Sequence, residues 1–302
     1  MTASLHFPNL PSDWVEKENQ IDPSQFARIY HRADLTGRPK LRVLFLIHGF
    51  GEHSGRYLHF PYYLQNSIDV MIAPDLPGHG NSKGNRGHFE SVEDLHEAID
   101  LSLTTGIKWL KTQNSEIEIH AFGHSFGGLL LAHSCLVTKS LRRHTLRTVS
   151  LSSPFLGFGF PVPEIKKRVG LLIEPFLGWL PMKSEVDAND LSHDPSVIES
   201  YRKDPLNHSW ITPRTFVHMN ALMDEVQESR LEFPCPWALF LPTHDPIAKV
   251  ETSRSFFEKH SRKKDVPSRL FELPEFLHEG FNEVGKELAF EQLTQWLAKD
   301  AF

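Results

Sequence analysis

The sequence predicts an α/β fold: a mostly parallel sheet with helices on both faces and a helical segment inserted late in the chain. Three observations carry this. Short apolar runs at residues 42–48, 69–74, 147–152 and 236–242 read as strands covered on both faces. Stretches with apolar residues at helical spacing separate most of them, as parallel strands require. The alternation then stops between residues 155 and 230, where helical patterns, several prolines and a strongly apolar, aromatic stretch take over.

Taken in order, residues 1–24 are rich in proline and charge and are expected to form an irregular arm. Residues 26–31 alternate like a half-exposed strand, and 36–39 make a turn. The strand at 42–48 runs into Gly49, Phe50 and Gly51, a loop with unusual backbone freedom. Residues 56–65 look helical. The strand at 69–74 leads into a loop at 75–82. Ser91 and Asp94 form a capping-box start for a helix over 91–109. Alternating Ile117, Ile119 and Ala121 predict the next strand, and an apolar helix begins near Leu129. After the strand at 147–152, residues 155–230 are read as a helical cap inserted between two core strands. The sheet resumes at 236–242, followed by a loop at 243–247, a helix over 250–260, a strand over 268–273, a loop carrying His278, and a last helix over about 281–299. The expected organisation is therefore an arm (1–24), an α/β core (25–154 and 231–302) and a cap or lid (155–230).

With 302 residues, 40% of them hydrophobic and 23% charged, the chain has ordinary globular composition and the length for a large core. A formal net charge of −6 and the lack of any long Lys/Arg run argue against a nucleic-acid surface. Cys135 and Cys235 have neither metal-site spacing nor disulfide density and are read as reduced, buried thiols. No basic n-region or apolar h-region opens the sequence, and no run of 18 apolar residues exists. The expectation is a cytoplasmic protein, or one lying peripherally on a membrane surface.

Chemistry enters at Gly123, His124, Ser125, Phe126 and Gly127, a match to G-x-S-x-G. The pattern alone arises by chance in about one chain in ten of this length, given ordinary Gly and Ser usage. Its placement between a strand and a helix is what a nucleophile elbow requires. A serine hydroxyl needs a base, and the base needs a carboxylate to hold its tautomer. In the α/β-hydrolase arrangement these follow in the order Ser, Asp, His on loops after late strands. Here that order is Ser125, Asp245, His278. His244 is a rival base, but it shares one tight loop with Asp245, a poor geometry for reaching Ser125. The oxyanion-hole donors are expected to be the backbone N–H groups of Phe126 and Phe50. Metal catalysis is not expected: there is no H-E-x-x-H, and His120 and His124 straddle a strand end and Gly123.

Several motifs together resemble the monoacylglycerol lipase / lysophospholipase family of serine α/β-hydrolases. They are HGFGEHSGRY at 48–57, DLPGHGNS at 75–82, GHSFGG at 123–128, and the Asp245 and His278 loops. The resemblance runs from about residue 26 to 297, and HEGFNE at 278–283 looks like the ending of bacterial members. It implies Ser125, Asp245 and His278 as a catalytic triad, Phe50 and Phe126 N–H as the oxyanion hole, and a cap over an acyl channel. It implies hydrolysis of monoacyl lipid esters through an acyl-serine, with no cofactor. Glu52 and Arg56 are then expected near the glycerol end of the site; the alternative is an ion pair that stiffens their loop. Phe155, Phe158, Leu172 and Phe176 of the apolar cap stretch are expected to contact the substrate, and the cap is a candidate for peripheral membrane contact. Phe281 stands where the animal lipases carry a second histidine, which leaves the head group open. Lysophospholipase, short-chain carboxylesterase and thioesterase activities stay as alternatives, and a catalytically silent lipid-binding module is the non-enzymatic one.

Overall fold

The computed structural model describes residues 8–113, 116–262 and 265–298. Its centre is an eight-stranded sheet. The strands are β1 (Trp14–Gln20), β2 (Phe26–Arg32), β3 (Lys40–Ile47), β4 (Val70–Pro74), β5 (Glu116–His124), β6 (Leu146–Ser152), β9 (Trp237–Pro242) and β10 (Ser268–Leu273), in the spatial order β1-β2-β4-β3-β5-β6-β9-β10. β1 with β2 and β2 with β4 are antiparallel; every later pairing is parallel. The helices are α1 (Phe60–Leu64), α2 (Val92–Lys111), α3 (Phe126–Leu136), α4 (Glu164–Leu177), α5 (Pro195–Lys203), α6 (Pro213–Glu228), α7 (Val250–His260) and α8 (Glu287–Leu297). No helix among the described residues is long and apolar enough to cross a membrane.

Two apolar clusters, one on each face of the sheet, explain why the central strands read as continuous apolar runs. Alternate side chains of β3 go to opposite faces: Val43, Phe45 and Ile47 pack with α2, α3 and α7, whereas Leu44 and Leu46 pack with α1 and α8. Cys135 and Cys235 are free, buried thiols in the first cluster, and burial pushes both thiols up.

Three expectations change. The arm is not irregular throughout, because Trp14–Gln20 pairs in register with β2 as the edge strand. Its charges hid it, and charge on an edge strand blocks unwanted pairing. The helix read over 56–65 breaks into a 3-10 turn at Ser54–Tyr57 and the short α1, which Pro61 opens as a helix start. The last helix begins at Glu287, not at 281: Phe281 is turned inward against Phe60 and Phe122, and Gly285 sits at φ +79°.

The segment between β6 and β9 holds α4, α5 and α6 together with a two-stranded antiparallel ribbon, β7 (Met182–Lys183) and β8 (Trp210–Ile211). The ribbon is too short to leave a period-2 signature. Met219, Leu222, Met223 and Val226 of α6 are buried in the same cluster as Leu129 and Leu130 of α3, so the insertion is anchored on the helix that follows Ser125.

Candidate active site

β5 ends in a turn that reverses within one residue. Ser125 lies at φ 52°, ψ −117°, a conformation costly for any residue with a side chain. The flanking glycines allow it. A Cβ on Gly123 would sit 2.5 Å from the Gly127 carbonyl oxygen, and one on Gly127 would sit 2.2 Å from that of Ile47. α3 therefore starts in backbone contact with both β5 and β3. The Ser125 N–H is held by the Ser152 carbonyl at 2.9 Å.

β9 and β10 deliver the partners. The His278 Nε2 and Ser125 Oγ are 2.8 Å apart, and His278 Nδ1 is 2.8 Å from Asp245 Oδ2. The other carboxylate oxygen of Asp245 accepts the N–H groups of Ile247 and Ala248 at 2.8 and 2.9 Å, which fixes its plane. A carboxylate cannot donate, so His278 carries its proton on Nδ1 and turns Nε2 to the serine. Burial alone would lower the His278 imidazole; the Asp245 carboxylate overrides it and holds the group above its ordinary 6.5. The rival His244 is exposed, with its ring nitrogen 3.6 Å from Glu275.

The glycine loop after β3 closes the other side. A Cβ on Gly49 would lie 3.2 Å from Ser125 Cβ, so the loop touches the serine. Its backbone is held from within. The Gly49 N–H donates to Glu52 Oε1 at 2.6 Å, and Glu52 Oε1 also takes the Tyr57 hydroxyl at 2.6 Å. His48 donates from Nδ1 to the Gly49 carbonyl (2.7 Å) and accepts the Leu76 N–H on Nε2 (2.9 Å). Phe50 and Phe126 both line the cavity beside Ser125. Phe126 is the first residue of α3, so its N–H has no carbonyl one turn behind it and faces the helix's positive end.

Arg56 makes the ion pair that the sequence offered as the alternative for this loop. Its guanidinium bridges Glu52 Oε2 (2.6 Å) and both oxygens of Glu279, and it stacks over the Tyr201 ring, 4.9 Å from its centre. Burial would raise the Glu52 carboxyl, but Arg56 beside it holds it below the usual carboxylate range. Glu52 and Glu279 line the cavity; Arg56 is not among the lining residues. Glu279, Tyr201 and His124 were missed from the sequence as site residues. Glu279 directly follows His278, and that adjacency was the available signal. The His124 ring lies 4.9 Å from that of His278, and burial pushes its imidazole down to about 4.

The cavity at Ser125, about 110 Å³, is walled on its apolar side by Phe155, Phe158, Phe216 and Met219. Phe158, Phe160, Ile211 and Phe216 are shared with a second, apolar cavity of about 400 Å³ that runs under α4 to Ile165 and Ile173. Phe155 and Phe158 thus line the cavity at Ser125. Leu172 and Phe176 line neither cavity: they are 72% and 79% exposed, on the outer side of α4, while Gly170 and Ile173 face the second one. Apolar residues surround much of this helix, so periodicity alone did not tell its inner stripe from its outer one. Among the described residues no cluster of His, Cys, Asp or Glu could hold a metal ion.

A Ser-His-Asp chain at the C-terminal edge of such a sheet, with the serine on a strand-to-helix elbow, defines a serine hydrolase of the α/β-hydrolase fold. The chain belongs to the family described as serine aminopeptidase, S33, which matches residues 38–285. It is 24% identical over 257 residues to a monoacylglycerol lipase of Mycolicibacterium smegmatis, covering 84% of this chain and 87% of that one. It is 29% identical over 266 residues to an uncharacterized abhydrolase domain-containing protein of Dictyostelium discoideum, covering 87% of this chain but spanning only 27% of that protein's length. The crystal structure of Paleococcus ferrophilus monoacylglycerol lipase superposes with a TM-score of 0.75 at 28% identity, over 90% of this chain and 98% of that one. A soluble variant of the Saccharomyces cerevisiae monoglyceride lipase superposes with a TM-score of 0.80 at 17% identity, over 98% and 99%. The chain is thus a hydrolase of this family, similar to the monoacylglycerol lipases named.

Proposed function

We propose that this chain hydrolyses carboxylic esters of monoacyl lipids, monoacylglycerols first among them, through an acyl intermediate on Ser125. The observation that carries the proposal is the hydrogen-bonded chain from Asp245 through His278 to Ser125, with Ser125 and His278 lining a cavity that has an aromatic wall.

The chemistry runs as follows. The Ser125 hydroxyl attacks the ester carbonyl while His278 Nε2 takes its proton. Charge builds on the carbonyl oxygen, and the N–H groups of Phe50 and Phe126 are the proposed donors to it. His278 then gives its proton to the departing alcohol, leaving the acyl group on Ser125. A water molecule, deprotonated by His278, repeats the attack and frees the fatty acid. Each proton taken by His278 is returned within its half-reaction.

The cavity supports a neutral head group. Its described lining holds two carboxylates, Glu52 and Glu279, and no lysine or arginine. Both carboxylates are already paired with Arg56, so the lining offers a phosphodiester no lysine or arginine of its own. The outer stripe of α4, with Leu172, Phe176 and the following Trp179 exposed, fits contact with a lipid surface.

Fatty-acid release from a long-chain monoacylglycerol and from the matched lysophosphatidylcholine, with Ser125→Ala alongside, tests the proposal. Release from the glyceride that vanishes in the variant is expected. Release only from the lysophospholipid moves the head-group assignment. If Ser125→Ala retains full activity, the acyl-serine route is wrong.

A further inference from the structure

Four side chains on α2, α3 and α6 form a continuous hydrogen-bonded chain that the hydrolytic reaction does not use. Ser134 Oγ lies 2.8 Å from the Leu130 carbonyl oxygen and 2.9 Å from His96 Nδ1. His96 Nε2 lies 2.8 Å from His133 Nδ1, and His133 Nε2 lies 2.8 Å from Glu225 Oε2. His96 is on α2, His133 and Ser134 are on α3, and Glu225 is on α6, so the chain joins two core helices to the cap. The two histidines and Ser134 are buried, whereas the Glu225 side chain is 54% exposed.

The donor and acceptor rules allow this chain two hydrogen arrangements. An ionised Glu225 only accepts, so His133 Nε2 carries a hydrogen. Between the rings, one nitrogen must donate to the other. If His96 Nε2 donates, both rings are neutral. His96 Nδ1 is then bare and takes the Ser134 hydroxyl hydrogen, and Ser134 Oγ faces the Leu130 carbonyl at 2.8 Å with no hydrogen between them. If His133 Nδ1 donates, His133 is a cation. His96 then carries its hydrogen on Nδ1 and gives it to Ser134 Oγ, and Ser134 gives its own to Leu130. This second arrangement holds one more proton and supplies a hydrogen to all four contacts. His96 is neutral in both, in keeping with burial, and then His133 beside it, pushing its imidazole down to about 4. The other charged groups nearby are engaged or outside. Asp100 on α2 pairs with Arg143 and His144, and Arg142 donates to the carbonyls of Cys135 and Glu232. Glu93 and Glu97 on α2 and Asp224 and Glu228 on α6 are exposed.

We propose that Ser134, His96, His133 and Glu225 form a proton-switched latch between cap and core. One added proton makes His133 a cation facing the Glu225 carboxylate and tightens the hold on α6. Its loss reverses the run of hydrogens and leaves a weaker, neutral bond to Glu225. Phe216 and Met219, earlier on α6, line the cavity at Ser125, so the latch sets how firmly that wall is held. The exposure of the carboxylate keeps the gain small. The switch is independent of which ester the chain cuts.

Imidazole nitrogen-15 spectra of the wild-type chain read the switch directly. His96 should carry its ring hydrogen on Nδ1 at about pH 5.5 and on Nε2 at about pH 8.5, either side of the ordinary imidazole range. A fixed structural hydrogen bond makes no such swap, and one tautomer at both pH values overturns the proposal. Glu225→Gln tests the hold on the cap, since it keeps an acceptor and removes the charge. Glu225 favours the protonated form, so its contribution is largest below the imidazole range and falls as pH rises through it. The wild-type lead in Tm over this variant should therefore be about 2 °C larger at the lower pH. A lead that is the same at both pH values overturns the latch, whatever the tautomers do. The ratio of wild-type to variant kcat/KM cancels the His278 titration that both chains share. On a long-chain monoacylglycerol it should rise about twofold toward the lower pH, and on a soluble butyrate ester it should stay near one. A ratio that ignores pH on both esters overturns the link from latch to cavity wall.

Discussion

Asp245 sets the pH range in which His278 can act as a base. The carboxylate at 2.8 Å raises the imidazole above 6.5 against the opposing effect of burial. Only the neutral ring can take the Ser125 proton, so kcat/KM should fall as pH drops through that raised value. The sign for stability is opposite. A raised histidine contributes stability that is fully present below 6.5 and is lost as pH rises through its value in the folded chain, so the active form is the less stable one. Asp245→Asn should move the acidic limb to lower pH, because burial then faces weaker opposition, and should cut the plateau by about 10⁴-fold through loss of the tautomer lock. A pH–rate profile on a soluble ester checks both, and an unmoved limb sinks the assignment. Ser125, Asp245 and His278 were readable because their place in chain order follows from strand ends. The Glu52–Arg56–Glu279 group was not, since Arg56 and Glu279 are 223 positions apart and only the folded loops bring them together.

Among elements, the elbow and α3 are the least forgiving of change. A methyl on Gly127 would lie 2.2 Å from the Ile47 carbonyl and 2.5 Å from that of His48. Both obstacles are backbone at the end of β3, so the helix must back away from the sheet and take Ser125 with it. Gly127→Ala should cost about 3 kcal/mol and, by displacing the serine, at least about 10²-fold in kcat. Gly170→Ala in α4 is the contrast, because its nearest neighbour would be the Phe216 ring at an ordinary 3.5 Å. There the better helix former should leave stability equal or up to about 1 kcal/mol higher. Urea unfolding of the two variants separates the outcomes, and near-wild-type stability and activity for Gly127→Ala is the result that defeats the argument. The buried strands, α2 with its Ser91–Asp94 box and α7 were legible because each carries one strong local signal. β1 was not: after Trp14 and Val15 its side chains are polar, and its strand character comes from the ladder with β2. The start of α8 was misplaced because Phe281 continues an apolar pattern while serving a turn.

At the scale of the molecule, two neighbouring cavities lie between α4 and the serine. The cavity at Ser125 shares Phe158 and Phe216 as lining with the larger one under α4, which also touches Ile165, 66% exposed. The outer stripe of the same helix carries Leu172, Phe176 and, just beyond its end, Trp179 at 59% exposure. Exposing these side chains to water gains nothing within the monomer, whereas burying each in a lipid interface is worth about 1.5–3 kcal/mol. A chain resting on lipid through this stripe would hold α4, and the cavity under it, close to where a monoacyl ester already lies. The triple variant Leu172→Gln, Phe176→Gln, Trp179→Gln isolates this role. Its stability should match wild type within about 0.5 kcal/mol, since exposed positions away from packing carry little, and hydrolysis of a soluble butyrate ester should be unchanged. Flotation with phosphatidylcholine vesicles should be lost, and release from vesicle-borne monoacylglycerol should fall at least about tenfold. If the variant floats as wild type does, the stripe has no membrane role, and the substrate reaches the site from solution instead.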